Sequence, residues 1–208
     1  MHQFYKDHYK KGLLYSFILS IALFLPTWIF GKKEFFLMLN GNMGIVADYI
    51  FVFFTWLGDG SLWIVLLLIT LFILKRKDAW PLLVSSFILS TIFTQICKYW
   101  IIPREPRPWT AITDHSLFHH VSFVEPLLIS SFPSGHTAAA FSIYLVLCLL
   151  IRQKWWVLTG LLYAVLVGYS RIYLAQHFPF DVAAGIIVAI ISVSASLPLQ
   201  KLWTNRNK

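Results

Sequence analysis

From Gly12 to Gly31 the chain runs for twenty residues without a charge, and further apolar runs follow at about 57–74, 79–101, 135–151, 155–172 and 180–199. About 20 apolar residues, at 1.5 Å of rise each, match the ~30 Å hydrocarbon core of a bilayer. Lipid offers the backbone no water, so each such run must satisfy its own amides, as a helix does. The expectation is an all-α protein, an integral membrane bundle of six transmembrane helices forming one domain over residues 1–208.

Composition agrees. Hydrophobic residues make up 58% and charged residues 12%, where a soluble domain carries charge on about a quarter of its residues. The net charge of +8 does not point to nucleic acid, because no basic stripe exists to follow a phosphate backbone. Two runs are irregular. The 135–151 run is short, and Gly58-Asp59-Gly60 interrupts the second. That pattern suggests an interfacial helix over about 44–57, a turn at the glycines, and a short span capped by Asp59 or Ser61. Lys6, Lys10 and Lys11 imitate a secretory leader, but the run behind them exceeds the 7–15 residues of a leader's apolar core, and it reads as a retained first span.

Placing the N-terminus in the cytoplasm puts Lys6, Lys10, Lys11, Lys75, Arg76, Lys77, Arg152, Lys154, Lys201, Arg206 and Lys208 inside. Lys32, Lys33, Lys98, Arg104, Arg107 and Arg171 are left outside. Eleven against six obeys the positive-inside rule, with both termini cytoplasmic. Trp28, Trp155, Trp156 and Trp203 fall at span ends, as interfacial belts require. Cys97 and Cys148 lie near opposite-facing ends of their spans, roughly 20 Å apart in depth, and read as buried, unpaired thiols. The connection over 102–134, with five prolines, is too long to be idle. Its His115, His119 and His120 are spaced irregularly for a metal and read as a solvated loop.

Three clusters carry the chemistry, all at the outer edge. In Pro133-Ser134-Gly135-His136, Ser134 caps a helix whose first amides make an anion site, Gly135 admits a phosphate to the backbone, and His136 stands at the rim. Alone, this tetrapeptide fits an ordinary capped helix with a surface histidine equally well. The second cluster is more specific: Ser170-Arg171, five residues, His177, three residues, Asp181. Pro179 suits the first turn of the next helix. Asp181 can reach one imidazole nitrogen of His177 and leave the other free to attack phosphorus. The third is Lys98 with Arg107-Pro108. Two imidazoles, a carboxylate and several cations are what phosphoryl transfer through a phosphohistidine requires.

These residues resemble the three signature motifs of the type 2 phosphatidic acid phosphatase superfamily, K-x6-RP, PSGH and SR-x5-H-x3-D. The last two match without deviation, and the span layout covers nearly the whole chain. The resemblance implies His177 as nucleophile, Asp181 as its orienting partner and His136 as general acid. It implies Lys98, Arg107, Ser134, Gly135 and Arg171 as the phosphate-binding positions. It also implies a reaction without metal or cofactor. The first motif departs, because eight residues separate Lys98 from Arg107. A strict alignment puts Trp100 in the lysine's place, so either the intervening segment loops out or Arg104 supplies the charge.

The implied activity is hydrolysis of a lipid phosphate at the outer leaflet of a bacterial inner membrane. Undecaprenyl pyrophosphate or phosphatidylglycerol phosphate is the preferred substrate type, and membrane lipids are the partners. Transfer of the phosphoryl group to lipid A or another acceptor is the alternative, since the first half-reaction is shared. An anion transporter is disfavoured, because a conduit would carry charges through mid-span, where these runs have almost none.

Overall fold

Every secondary-structure element in the computed structural model, which describes residues 5–73 and 75–206, is helical. Leu74, the end of the second expected span, and Lys208, one of the inner cations, lie outside the described residues. The helices are α1 (Lys6–Phe30), α2 (Lys32–Leu39), α3 (Ile45–Trp56), α4 (Ser61–Leu68), α5 (Trp80–Ile96), α6 (Pro108–Ala111), α7 (Gly135–Leu150), α8 (Trp156–Tyr173) and α9 (Pro179–Arg206). Wide π-helical turns extend α4 over Ile69–Ile73 and α5 over Cys97–Ile101.

The segments Lys6–Phe30, Lys77–Ile101, Trp156–Tyr173 and Pro179–Asn205 are long and apolar enough to cross a membrane. A fifth crossing arises if α3 and Ser61–Ile73 count as one span, broken at Gly58-Asp59-Gly60 and bent by 62°. The cap position is Gly60, not Asp59 or Ser61 as expected, but Asp59 serves the helix start from the preceding position, its Oδ1 accepting from the Ser61 amide at 2.8 Å. α7, with 16 residues, falls short of the usual span length. Length and composition therefore support four or five crossings, where the sequence suggests six.

α7 is nonetheless the centre of the bundle. Twelve of its sixteen residues are buried, and it packs against α1, α5, α8 and α9. A helix apolar on every face must be surrounded on every face. Gly185 of α9 allows a close backbone approach to the start of α7. A Cβ there would lie 2.6 Å from the Ser134 carbonyl oxygen and 3.0 Å from Thr137 Cβ. The close crossing holds the start of α7 against the start of α9. The first helix begins earlier than the uncharged run suggests, because its entry is tied to the far end of α7: the Tyr5 amide donates to the Leu149 carbonyl at 2.9 Å.

Around this core the outward faces are apolar. Along α1, Leu14, Phe17, Ile18, Ile21 and Leu25 are all about half exposed or more. Contiguous apolar surface of this extent is stable in lipid and not in water. The chain is a membrane protein. Both cysteines are free; Cys148 is buried as expected, whereas Cys97 is only half-buried.

The 102–134 segment is not a loose loop. Ile112 and Phe118 are buried against Phe36, Ile172 and Phe178, and Val121 packs with Phe51, Tyr173 and Leu174. Two of its histidines, His115 and His119, are partly buried and tied down, which corrects the expectation of a solvated loop for them, while His120 is exposed as expected. His115 stacks on Trp109 with ring centroids 3.9 Å apart, and His120 meets the same indole edge-on. His119 Nε2 lies 2.9 Å from Asp48 Oδ1, which also accepts from Tyr173 Oη at 2.7 Å. Buried Asn40 completes the attachment, donating to the Ile172 and Tyr173 carbonyls and accepting from the His119 amide. It thereby serves two carbonyls in the last turn of α8, of which that of Ile172 also accepts from the Ala175 amide.

Candidate active site

The chain reverses direction between α8 and α9 in five residues, and that turn carries His177. Both the Gln176 and His177 amides donate to the Arg171 carbonyl, at 2.9 and 3.0 Å. Pro179 opens α9, and Asp181 lies in its first turn. Its Oδ2 accepts from the Phe178 amide at 2.9 Å and from Ser131 Oγ. His177 Nδ1 lies 3.7 Å from the same oxygen, close enough for electrostatic pairing but beyond a hydrogen bond. Asp181 therefore faces the expected nitrogen, while its shortest bonds go to the turn and to Ser131.

The other imidazole nitrogen meets Arg107. Arg107 Nη1 donates to His177 Nε2 at 3.3 Å and to the Gln176 carbonyl at 2.9 Å. Nε and Nη2 donate to the carbonyls of Ile129 and Ser130. A guanidinium has no acceptor, so Nε2 must carry the lone pair and Nδ1 the proton. Burial pushes Arg107 down to about 10, with Asp181 opposing the shift. Burial also holds His177 neutral, its pKa well below the ordinary imidazole value, and Arg107, Arg171, Lys98 and His136 reinforce this.

Ser134 caps α7 as expected. Its Oγ accepts from the Thr137 amide at 3.4 Å and from Thr137 Oγ1 at 2.8 Å. With both acceptor positions used, its own proton remains free to donate. The Ser134 amide donates to the Asp181 carbonyl at 2.9 Å, which joins the two helix starts. Gly135 is not forced by protein packing, since a Cβ there would meet only Thr94 Cγ2 at an ordinary 3.6 Å. His136 is half-buried beside Gly58, where an added Cβ would lie 3.2 Å from His136 Cβ. Arg171 is 4% exposed; its Nη1 donates to Thr55 Oγ1 and its Nε has no protein partner.

Lys98 joins this group. It interacts electrostatically with Arg107, Arg171 and Asp181. Where the first motif carries its two extra residues, the chain makes a π-helical turn over Cys97–Ile101 and passes through a left-handed residue, Arg104, with φ of 56°. A π turn accommodates an inserted residue without ending the helix. Arg104 itself is exposed. All eight residues singled out in the sequence thus gather at one end of the bundle. Four others were not foreseen: Ser131, Thr55, Lys32 and Glu105. Nothing marks them in the sequence, because none belongs to a motif: Lys32 comes from α2, Thr55 from α3, and Glu105 and Ser131 from the 102–134 segment.

The fold and this end of it define a class: a helical membrane protein with a buried, cation-rich cluster built around histidine. Comparison with known proteins narrows the class. The PAP2 superfamily profile matches residues 79–204, more than half of the chain. The undecaprenyl-diphosphatase of Sulfolobus acidocaldarius is 29% identical over 210 residues, covering 95% of this chain and 96% of that protein. The lipid A 4'-phosphatase of Bacteroides thetaiotaomicron is 26% identical, covering 74% and 70%. The crystal structure of LpxE from Aquifex aeolicus superimposes with a TM-score of 0.69 at 35% identity, covering 80% of this chain and 94% of that one. This chain therefore belongs to the PAP2 superfamily of membrane lipid phosphatases, and its activity is that of a phosphoric ester hydrolase.

Proposed function

We propose that the protein hydrolyses a lipid phosphomonoester or diphosphate through a phosphohistidine at His177. The observation that carries this reading is the Arg107 contact, which leaves His177 Nε2 unprotonated beside a cation. Nε2 attacks phosphorus as the bond from phosphorus to the leaving oxygen breaks. His136 protonates that oxygen. Arg107, Arg171, Lys98 and the Ser134 hydroxyl, with the Gly135 amide, hold the phosphoryl oxygens as charge develops on them. A water then attacks the phosphohistidine, giving its proton to His136 and releasing phosphate and free His177. Asp181 balances the positive imidazole from the Nδ1 side.

The substrate we favour is of the undecaprenyl pyrophosphate or phosphatidylglycerol phosphate type. The family, the names of the relatives and the apolar surround of the site support it. In this reading α7 and the broken pair both cross, giving six spans with both termini cytoplasmic and the site at the outer leaflet of a bacterial inner membrane. The cation distribution along the sequence supports that orientation.

The test is direct. Purified protein is mixed with ³²P-labelled phosphatidylglycerol phosphate or farnesyl diphosphate, quenched in alkali and probed for protein-bound label. An alkali-stable, acid-labile label that disappears in His177→Ala supports the mechanism. Wild-type turnover by His177→Ala would rule it out.

A further inference from the structure

On the Nδ1 side of His177, away from Arg107, stands a charge that this scheme does not use. Lys32 is the first residue of α2, set there by the left-handed turn at Gly31, with φ of 93°. Its Nζ lies 2.5 Å from Glu105 Oε1, 3.8 Å from Asp181 Oδ1 and 4.5 Å from the centre of the Phe178 ring. It therefore connects α2, the 102–134 segment and the start of α9.

The two oxygens of Asp181 are served unequally. Oδ2 has the Ser131 hydroxyl and the Phe178 amide. Oδ1 has no hydrogen-bond donor, although the side chain is wholly buried. A carboxylate withdrawn from water with half its acceptor capacity unmet depends on a nearby cation to hold its charge. A protonated acid could accept the Nδ1 proton of His177 only as a weaker, neutral acceptor and could not balance the charge that appears when Nε2 is phosphorylated. The ammonium of Lys32 is the ion-pair partner of that bare oxygen. The remaining charged groups that act on Asp181 are Glu105, of like sign, His177 on the turn, and Arg107 and Lys98 on the far side of the imidazole.

We infer that Lys32 is a positioning residue: clamped by Glu105, it keeps Asp181 ionised and aimed at His177 Nδ1. It acts through Asp181 and does not touch the phosphate, because the attacking Nε2 opens toward Arg107 on the opposite edge of the ring. The inference rests on the phosphohistidine reading above.

The experiment uses full-length protein in detergent with farnesyl diphosphate as the probe. Lys32→Met should lower kcat by ~10–100-fold, the usual range for a group that orients a reactive one, with KM little changed. Lys32→Arg should recover most of the rate. The acid limb of the kcat profile should move to higher pH in Lys32→Met, because a carboxylate without its cation takes up a proton more readily. In an Asp181→Asn background, Lys32→Met should cost nothing further. Thermal melts of each variant, with Lys32→Gln as a second neutral substitution, separate misfolding from loss of positioning. A pH-independent loss that persists undiminished beside Asp181→Asn overturns the inference, as does wild-type kcat in Lys32→Met. His177→Ala, run alongside, keeps the two readings apart. If it is inactive while Lys32 variants are silent, only the positioning role falls; if it is active, the phosphohistidine reading falls first.

Discussion

Arg107 Nη1 and His177 Nε2 are 3.3 Å apart, with the guanidinium donating. The contact joins a residue of the 102–134 segment to one on the α8–α9 turn, and it fixes the imidazole tautomer before any substrate arrives. Arg107→Ala should lower kcat/KM by ~10²–10³-fold, as for loss of one transition-state donor. Arg107→Lys should recover only part of this, since an ammonium cannot serve His177 and three carbonyls from one planar fork. Steady-state kinetics on both variants checks the ranking.

Burial and the surrounding cations keep native His177 neutral well below the ordinary imidazole range. Below pH ~6.5 the unfolded chain therefore binds a proton that the native chain does not, and stability falls with falling pH by about 1.4 kcal/mol per unit until the native group titrates. Above pH ~6.5 this contribution is fully present. Melting temperatures taken from pH 7 to 5 should drop more steeply for wild type than for His177→Asn. Equal slopes would show that His177 titrates normally in the native state.

The first-motif cation is decided by side-by-side kinetics of Lys98→Ala and Arg104→Ala. Lys98 acts electrostatically on Arg107, Arg171 and Asp181, whereas Arg104 is exposed. Lys98→Ala should lose at least about tenfold in kcat/KM, less than Arg107→Ala, and Arg104→Ala should stay within about threefold. The reverse order would assign the role to Arg104.

Gly185→Ala puts a methyl 2.6 Å from the Ser134 carbonyl oxygen and 3.3 Å from the Ala138 amide nitrogen. Backbone atoms cannot rotate aside, so α7 and α9 must separate. We expect a loss of about 1–3 kcal/mol together with reduced turnover, because the same crossing joins the Ser134 and Asp181 helix starts. Differential scanning in detergent and an activity assay on one preparation test both parts.

Activity should survive exhaustive chelation. Arg107, Arg171 and Lys98 all act on His177, and such a set supplies the positive charge that a metal ion would otherwise bring to the phosphoryl oxygens. Phosphate release measured with and without EDTA, then with added Mg²⁺, checks this. Loss that only the metal restores would contradict it.

By itself the sequence determined the helical class, because uncharged runs of span length leave the backbone in lipid no other partner than itself. It also determined the local geometry of the 170–181 turn and of the α7 cap, since both depend on residues a few positions apart. His177 with Asp181, and Ser134 with Thr137, are pairs three or four positions apart, and the spacing of such groups is readable directly. Long-range placement was not. Between Lys98 and Arg107 the chain passes through a π-helical turn and a left-handed Arg104, and neither has a sequence signature. Ser131 and Lys32 reach Asp181 from 50 and 149 positions away, so nothing local could link them to it. The 102–134 segment reads as a polar loop until Asn40, Asp48 and Phe36 are brought beneath it. The bundle decided those contacts: α7 had to be surrounded on every face, and the helices that surround it carry their ends to the same place.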